Sequence, residues 1–128
     1  MSFVRAIFHA AIAAAVIFSP IQAASAAGAI AIGACAAYGY AYDRPTAEDA
    51  QAEALKNCEG NCKQVVTTKK GCVAFAVDGR KPCGPLGFAN ANRLGEAQNA
   101  ALKYCYKHGG KDCMIRAWIC DSKGSAKR

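Results

Sequence analysis

The sequence predicts an α+β domain in which a strand–strand–helix–strand unit occurs twice, with a mostly antiparallel sheet, two helices and disulfide staples. The first observation is an internal duplication, since residues 50–58 align without gaps on residues 97–105, and residues 35–41 align on residues 83–89. The second is the cysteine content, because the eight cysteines fall into two sets of four. The sets are Cys35, Cys58, Cys62 and Cys72, and then Cys83, Cys105, Cys113 and Cys120. A duplication that carries its cysteines is typical of a disulfide scaffold in an exported protein.

The first copy begins with two short β-prone runs, which predict strands at residues 29–32 and 38–42. Thr46 is followed three positions later by an acidic residue, the arrangement of a helix N-cap. Small residues then recur at helical spacing as far as Cys58. The segment 63–68 is rich in valine and threonine and predicts the strand that closes the copy.

The second copy repeats this order. Strands are predicted at residues 72–77 and 86–89, and Asn92 is the predicted N-cap of the second helix, which runs to Cys105. The last strand is predicted at residues 114–120. The turn and the helix exit are both longer here than in the first copy.

The predicted helices bury faces made mostly of alanine. Small side chains let a helix lie close to a sheet but remove little apolar area from water, so cross-links are needed. We predict the local pairs Cys58–Cys62 and Cys105–Cys113, each joining a helix end to the following strand. The other pairings stay open, because eight cysteines allow 105 connectivities.

Residues 1–26 have the pattern of a signal peptide. Arg5 supplies the positive charge, residues 6–18 form an apolar run, and small residues at 24–26 suit a signal peptidase. The run is shorter than the roughly 20 residues that span a bilayer, so no membrane span is expected. The protein is therefore predicted to be periplasmic or secreted.

Residues 27–122 are predicted to form a single duplicated domain, with halves at about 29–72 and 73–120. Residues 123–128 form a predicted flexible tail. One alternative stays open at Cys35, because the residues before it resemble the short motif at which bacterial lipoproteins are cut and acylated.

The formal net charge is +7, and it becomes +6 when Arg5 leaves with the signal peptide. This balance suits an anionic envelope polymer or an acidic envelope protein as partner, and export argues against nucleic acid. Zinc sites usually contain a C-x-x-C knuckle, which this chain lacks, so neither a metal nor a cofactor is predicted. The oligomeric state is left open.

Candidate binding residues are basic side chains at predicted turns, together with one tyrosine. Tyr38, Tyr40 and Tyr42 share one face of their strand, and such a row can form a ligand platform, for instance for sugar rings. Leu86 and Phe88 occupy the first two positions in the second copy and instead indicate core there. Trp118 is likewise interpreted as a packing residue. The candidates are therefore Tyr42, Lys69, Lys70, Arg80, Lys81, Lys107 and Lys111. For the basic residues, the alternative is that they are charges at turns that contact only solvent.

No catalytic set can be assembled from the sequence. His9 leaves with the signal peptide, and His108 lies in a turn that contains glycine. The chain has few carboxylates that could serve a small hydrolase. The candidates for such a role are Asp78, Asp121 and Glu96. We therefore predict that the protein is not an enzyme, and hydrolysis is the least favoured hypothesis.

Residues 29–31, 38–41, 62–66 and 72–77, with the alanine-rich helix that ends in cysteine, resemble a bacterial family of secreted domains. That family is catalogued as a domain of unknown function and is common in proteobacteria and actinobacteria. The resemblance implies an exported, disulfide-bearing domain with no assigned activity or catalytic residues. The cysteines at 35 and 83 are additions to the usual pattern.

These observations favour an exported, disulfide-rich binding module. The leading hypothesis is that it acts through a protein surface, as an inhibitor of an envelope protein or as an accessory to it. The alternative is adhesion to anionic cell-envelope polymers through the basic loops.

Overall fold

The computed structural model describes residues 15–17, 26–68 and 71–121. Lys69, Lys70, the predicted tail and nearly all of the predicted signal peptide lie outside these ranges. Within them, no helix is both long enough and apolar enough to cross a membrane.

Both copies have the predicted element order. The first comprises β1 (Ala27–Gly33), β2 (Tyr38–Arg44), α1 (Ala47–Lys56) and β3 (Cys62–Thr67); the second comprises β4 (Cys72–Asp78), β5 (Leu86–Ala91), α2 (Leu94–Lys107) and β6 (Cys113–Cys120). Each copy forms its own three-stranded antiparallel sheet, in the orders β2-β1-β3 and β5-β4-β6. The α+β class and antiparallel pairing are thus confirmed, and the division into two equivalent sheets is a finding.

Three apolar clusters separate four layers, in the order helix, sheet, sheet and helix. Alternation along β1 shows how the sequence specifies them, since Ala29 and Ala31 face α1 while Ile30 and Ile32 face the second sheet. Alanines fill both helix–sheet layers, and larger side chains fill the layer between the sheets, where Phe75 is fully buried. The alanine faces therefore bring each helix close to its own sheet.

The two helices begin differently. Thr46 is the N-cap of α1, and its hydroxyl accepts a hydrogen bond of 3.1 Å from the backbone amide of Asp49, as predicted. The prediction of Asn92 as the N-cap of α2 is wrong by one residue, because the cap is Arg93 and its side chain makes no capping hydrogen bond. The buried Leu94 begins the first turn, so packing rather than a polar cap sets this start.

Two disulfides are local and occupy equivalent positions in the copies. Cys58–Cys62 and Cys105–Cys113 each connect the end of a helix to the start of the next strand. Both pairs are the ones predicted from the repeat.

The other two disulfides each span 48 residues and connect the two cysteine sets recognised in the sequence. Cys72 and Cys120 face each other directly across the β4–β6 pair. Cys35–Cys83 joins the β1–β2 turn to the β4–β5 loop, so it links the two copies. The sulfur of Cys35 is bonded to another cysteine here, which disfavours the acylation alternative.

Candidate functional site

A row of three tyrosines stands on the face of β2 that points away from α1. The Tyr38, Tyr40 and Tyr42 rings are nearly parallel, at 16° and 14°, and successive ring centres are 6.3 and 6.1 Å apart. Gly39 and Ala41, which alternate with them, are buried. The spacing is that of side chains two residues apart on one strand.

The row runs outward from the core into solvent. Tyr38 is half-buried against the cluster between the sheets, whereas Tyr40 is 46% exposed and Tyr42 is 56% exposed. The prediction that Tyr40 belongs to the core is therefore wrong. Its repeat counterpart Phe88 is half-buried against that same cluster, so equivalent backbone positions differ in how much of the facing sheet covers them.

The three rings line an open groove of about 640 Å³, which we call the tyrosine groove. Its volume lies within the range of small-ligand sites in proteins. The remaining side chains of the groove are mostly polar. They include Asp43, Arg44, Glu53, Asn57, Glu59 and Arg116.

The end of α1 fixes the outer edge of β2. The side-chain amide of Asn57 donates a 3.1 Å hydrogen bond to the Tyr40 carbonyl, and the backbone amide of Glu59 donates one of 3.4 Å to the Tyr38 carbonyl. The inner edge of β2 pairs with β1. Because the strand is held on both sides, its three rings are presented on a fixed backbone.

Arg116 reaches the row from β6 of the other copy. Its guanidinium carbon lies 5.0 Å from the centre of the Tyr38 ring, within the range of a cation–π contact. Its Nε donates a 3.4 Å hydrogen bond to the carbonyl of Ala36 in the β1–β2 turn. Both copies therefore build the site, and sequence reasoning missed Arg116 because this residue is far from the tyrosines along the chain.

Trp118 extends the aromatic surface. It is 48% exposed and lines a second, adjoining groove together with Tyr38, Tyr40 and Arg116. The prediction of Trp118 as a packing residue is wrong, because β6 is an edge strand whose outer portion is not covered. The sequence signal for an exposed Trp118 was its alternation with Arg116. That alternation does not show whether another layer of the fold covers the strand.

Several basic candidates meet at the opposite sheet, around Asp78. This carboxylate is 3% exposed and accepts hydrogen bonds from the backbone amides of Arg80 (2.9 Å) and Lys111 (3.1 Å). The amide of Lys81 bonds to the Asp78 carbonyl at 3.2 Å. Asp78 thus holds the loop of Arg80 and Lys81 next to the loop of Lys111. The remaining basic candidate in the described residues, Lys107, is exposed in the last turn of α2.

Acid should weaken this loop junction. The backbone amides of Lys111 and Arg80 hold the pKa of Asp78 below its usual value, against the opposing effect of burial. A carboxyl whose pKa is lowered on folding stabilises the fold above its unfolded pKa of about 3.9, and that contribution is lost as the pH falls through the folded pKa. We expect Asp78→Asn to be destabilised at pH 7, and its difference from the wild type in free energy of unfolding to shrink below about pH 4.

Urea unfolding between pH 2 and pH 7 measures this effect, with Asp112→Asn as the control on an exposed carboxylate of the same junction. A difference between Asp78→Asn and the wild type that stays constant across that range would contradict the assignment.

The remaining titratable candidates do not line the tyrosine groove. The ring Nδ1 of the exposed His108 lies 3.0 Å from the Leu86 carbonyl oxygen, and Glu96 lies in the first turn of α2. Asp121 follows β6, where its amide bonds to the Gly71 carbonyl at 2.9 Å. Among the described residues, no group of three or more histidine, cysteine, aspartate and glutamate side chains is placed to hold a metal ion.

Comparisons with known proteins found a family model and a solved structure that match this chain. A family model described as domain of unknown function (DUF4189) matches residues 27–120, which include both copies. No curated protein matches the chain. Among solved structures, the NMR structure of Rv1813c from Mycobacterium tuberculosis is similar, with a TM-score of 0.55 and 25% identity over 93% of this chain and 99% of that one.

Proposed function

We propose, from the premise that this chain belongs to the family described as domain of unknown function DUF4189, that it is an exported binding module whose ligand surface is the tyrosine groove. The membership confirms the family resemblance of the sequence and assigns no activity. Four disulfides support export, since such bonds persist in oxidising compartments. The periplasm or the cell exterior is the proposed place of action, with a component of the cell envelope as partner.

The observation that carries the proposal is the exposure of Tyr40 and Tyr42 beside Arg116. Tyrosine and arginine are enriched where proteins bind their partners, since both offer a large flat surface with a polar end. The duplication supplies an internal comparison, because the second copy has Phe88 and Asn90 at the two exposed tyrosine positions. Tyr40 and Tyr42 are exposed whereas Phe88 is half-buried, so core packing does not account for these two tyrosine rings, and this difference favours a role in binding.

The hydrolysis that the sequence left open gains no support from its own candidate residues. The carboxylates that sequence left open for catalysis, Asp78, Asp121 and Glu96, lie outside the tyrosine groove. Asp78 is moreover occupied by backbone amides of two loops. An inhibitory or accessory role toward an envelope protein requires a binding surface and no catalytic residues.

The test is a crosslinking pull-down from envelope extract, with the oxidised protein as bait. Replacing Tyr40 and Tyr42 together by alanine is expected to reduce the recovered material at least tenfold, because the exposed aromatic area of the groove is lost. Tyr104→Ala is the matched control, since Tyr104 is an equally exposed tyrosine on α2. Equal recovery by all three proteins would overturn the proposal.

Adhesion to anionic envelope polymers is the second candidate function. It is favoured by the Asp78 junction, which holds the loops of Arg80, Lys81 and Lys111 next to one another. Together they present a local excess of positive charge.

Charge reversal tests the second candidate. Arg80→Glu combined with Lys81→Glu is expected to abolish retention on an anionic polymer column at low salt, because repulsion replaces attraction. The loss of the exposed Arg80–Asp112 ion pair should cost little stability. Lys103→Glu, on α2, is the control, and unchanged retention of the double variant would reject these loops as the polymer site.

A further inference from the structure

We infer that the tyrosine groove binds an extended chain of neutral sugar residues. This inference rests on the proposed function and names the ligand class for the same site.

The shape of the groove suits a chain rather than a compact molecule. Tyr38, Tyr40 and Tyr42 form a regular row with steps of 6.3 and 6.1 Å, and the groove along it is open to solvent. Sites for compact ligands enclose most of the ligand surface. A repeating row of aromatic rings in an open groove instead matches a ligand that is itself made of repeating rings.

The chemistry of the groove matches sugars. A sugar ring has apolar C–H faces and a rim of hydroxyl groups, so it needs aromatic surface and hydrogen-bonding groups side by side. The tyrosine rings supply the first, and Asp43, Asn57 and Glu59 supply acceptors and donors beside them. The centre of a protein–protein interface is, by contrast, depleted of charged residues. The density of charged side chains in this groove therefore favours a hydroxyl-rich ligand over an apolar protein segment.

The charge of the groove favours a neutral chain. Three carboxylates line it against two guanidinium groups, so its formal charge is −1. Arg44 pairs with the carboxylate of Glu53, while Arg116 lies over Tyr38 and bonds to the Ala36 carbonyl. An anionic polymer would meet repulsion here and would find its cations at the Asp78 junction instead.

The groove is also preorganised. Hydrogen bonds from Asn57 and Glu59 on one edge of β2, and pairing with β1 on the other, fix the backbone that carries the rings. A ligand that binds a fixed row loses little free energy to ordering of the protein.

Calorimetric titration of the exported, oxidised protein tests the inference. The probes are the neutral β-1,4-linked tetramers of N-acetylglucosamine and of glucose, with the tetramer of galacturonic acid as the anionic comparison. We expect at least one neutral tetramer to bind, and Tyr42→Ala to weaken it about tenfold through loss of the stacking ring. Tyr42→Phe, which keeps the ring, and Tyr104→Ala, on α2, should change the affinity less than threefold.

The outcomes separate this inference from the proposed function. Failure of both neutral tetramers to bind, tighter binding of the anionic one, or an affinity indifferent to Tyr42→Ala would each overturn the sugar assignment. If the envelope pull-down then still depends on Tyr40 and Tyr42 and yields a protein, the binding module stands with a different ligand. If the pull-down is independent of both tyrosines, the proposed function fails as well.

Discussion

Removal of the Cys72–Cys120 disulfide by alanine substitution of both cysteines is expected to lower the free energy of unfolding by about 4 kcal/mol. The bond closes a segment of 48 residues, and the chain entropy released in the unfolded state grows with the length of the closed segment. Cys72 is also fully buried in the cluster beneath α2, so its replacement adds a cavity.

Two other disulfides serve as matched comparisons. Cys58–Cys62 closes only four residues, and its removal should cost about 2 kcal/mol. Cys35–Cys83 again spans 48 residues but is exposed at both ends, so its loss leaves no buried cavity. Comparison of the two long bonds therefore isolates the effect of burial at constant segment length.

The Cys35 turn does not disturb this comparison. Cys35 and Ala36 have φ angles of 59° and 62°, as in two-residue turns that join antiparallel strands, and the Ala37 amide donates a 3.1 Å hydrogen bond to the Ala34 carbonyl across them. The hairpin therefore sets this conformation, with or without the disulfide. Urea unfolding of the three double variants should rank the loss as largest for Cys72–Cys120, and a loss at Cys58–Cys62 as large as this would contradict the chain-entropy argument.

The element order was predictable because local signals agreed with one another. Thr46 with an acid three residues later, small residues at helical spacing, and β-branched strands each indicate one structure, and the duplication repeats most of them. Asn92 misled because a polar residue before a helix is a weaker constraint than the burial of Leu94. The division into two sheets was not predictable, since alternation along a strand does not specify which strand pairs with it.

The site was predicted only in part, and the duplication itself was the reason. Phe88 at the position of Tyr40 implied the same environment for both, but the repeat preserves the backbone and not the layer that covers it. Tyr42 was singled out, whereas Arg116 and Trp118 were missed, because they join the row only when β6 of the second copy lies beside β2 of the first. Contacts between copies leave no local pattern in the sequence.

Gly39 connects this architecture to the groove. A Cβ atom at Gly39 would overlap the backbone of α1 at Ala54 and the backbone of Cys58 just after this helix, and one at its repeat counterpart Gly87 would overlap α2 at Ala101 and Cys105. Each helix thus approaches its sheet so closely that only glycine fits at the crossing.

Gly39→Ala is therefore expected to push α1 away from β2 and to cost about 3 kcal/mol of unfolding free energy, the range of severe overpacking. Because the end of α1 carries Asn57 and Glu59, which bond to the tyrosine strand, the same substitution should weaken binding at the groove by tenfold or more.

Gly87→Ala should cost similar stability at α2 and leave binding intact, since α2 contributes no residue to the tyrosine groove. Urea unfolding and the envelope pull-down, made on both variants at a temperature where each is folded, measure the two effects. Equal loss of binding in both variants would show that binding depends on overall stability. Loss of binding in Gly39→Ala alone would show that binding depends on the position of α1 against β2.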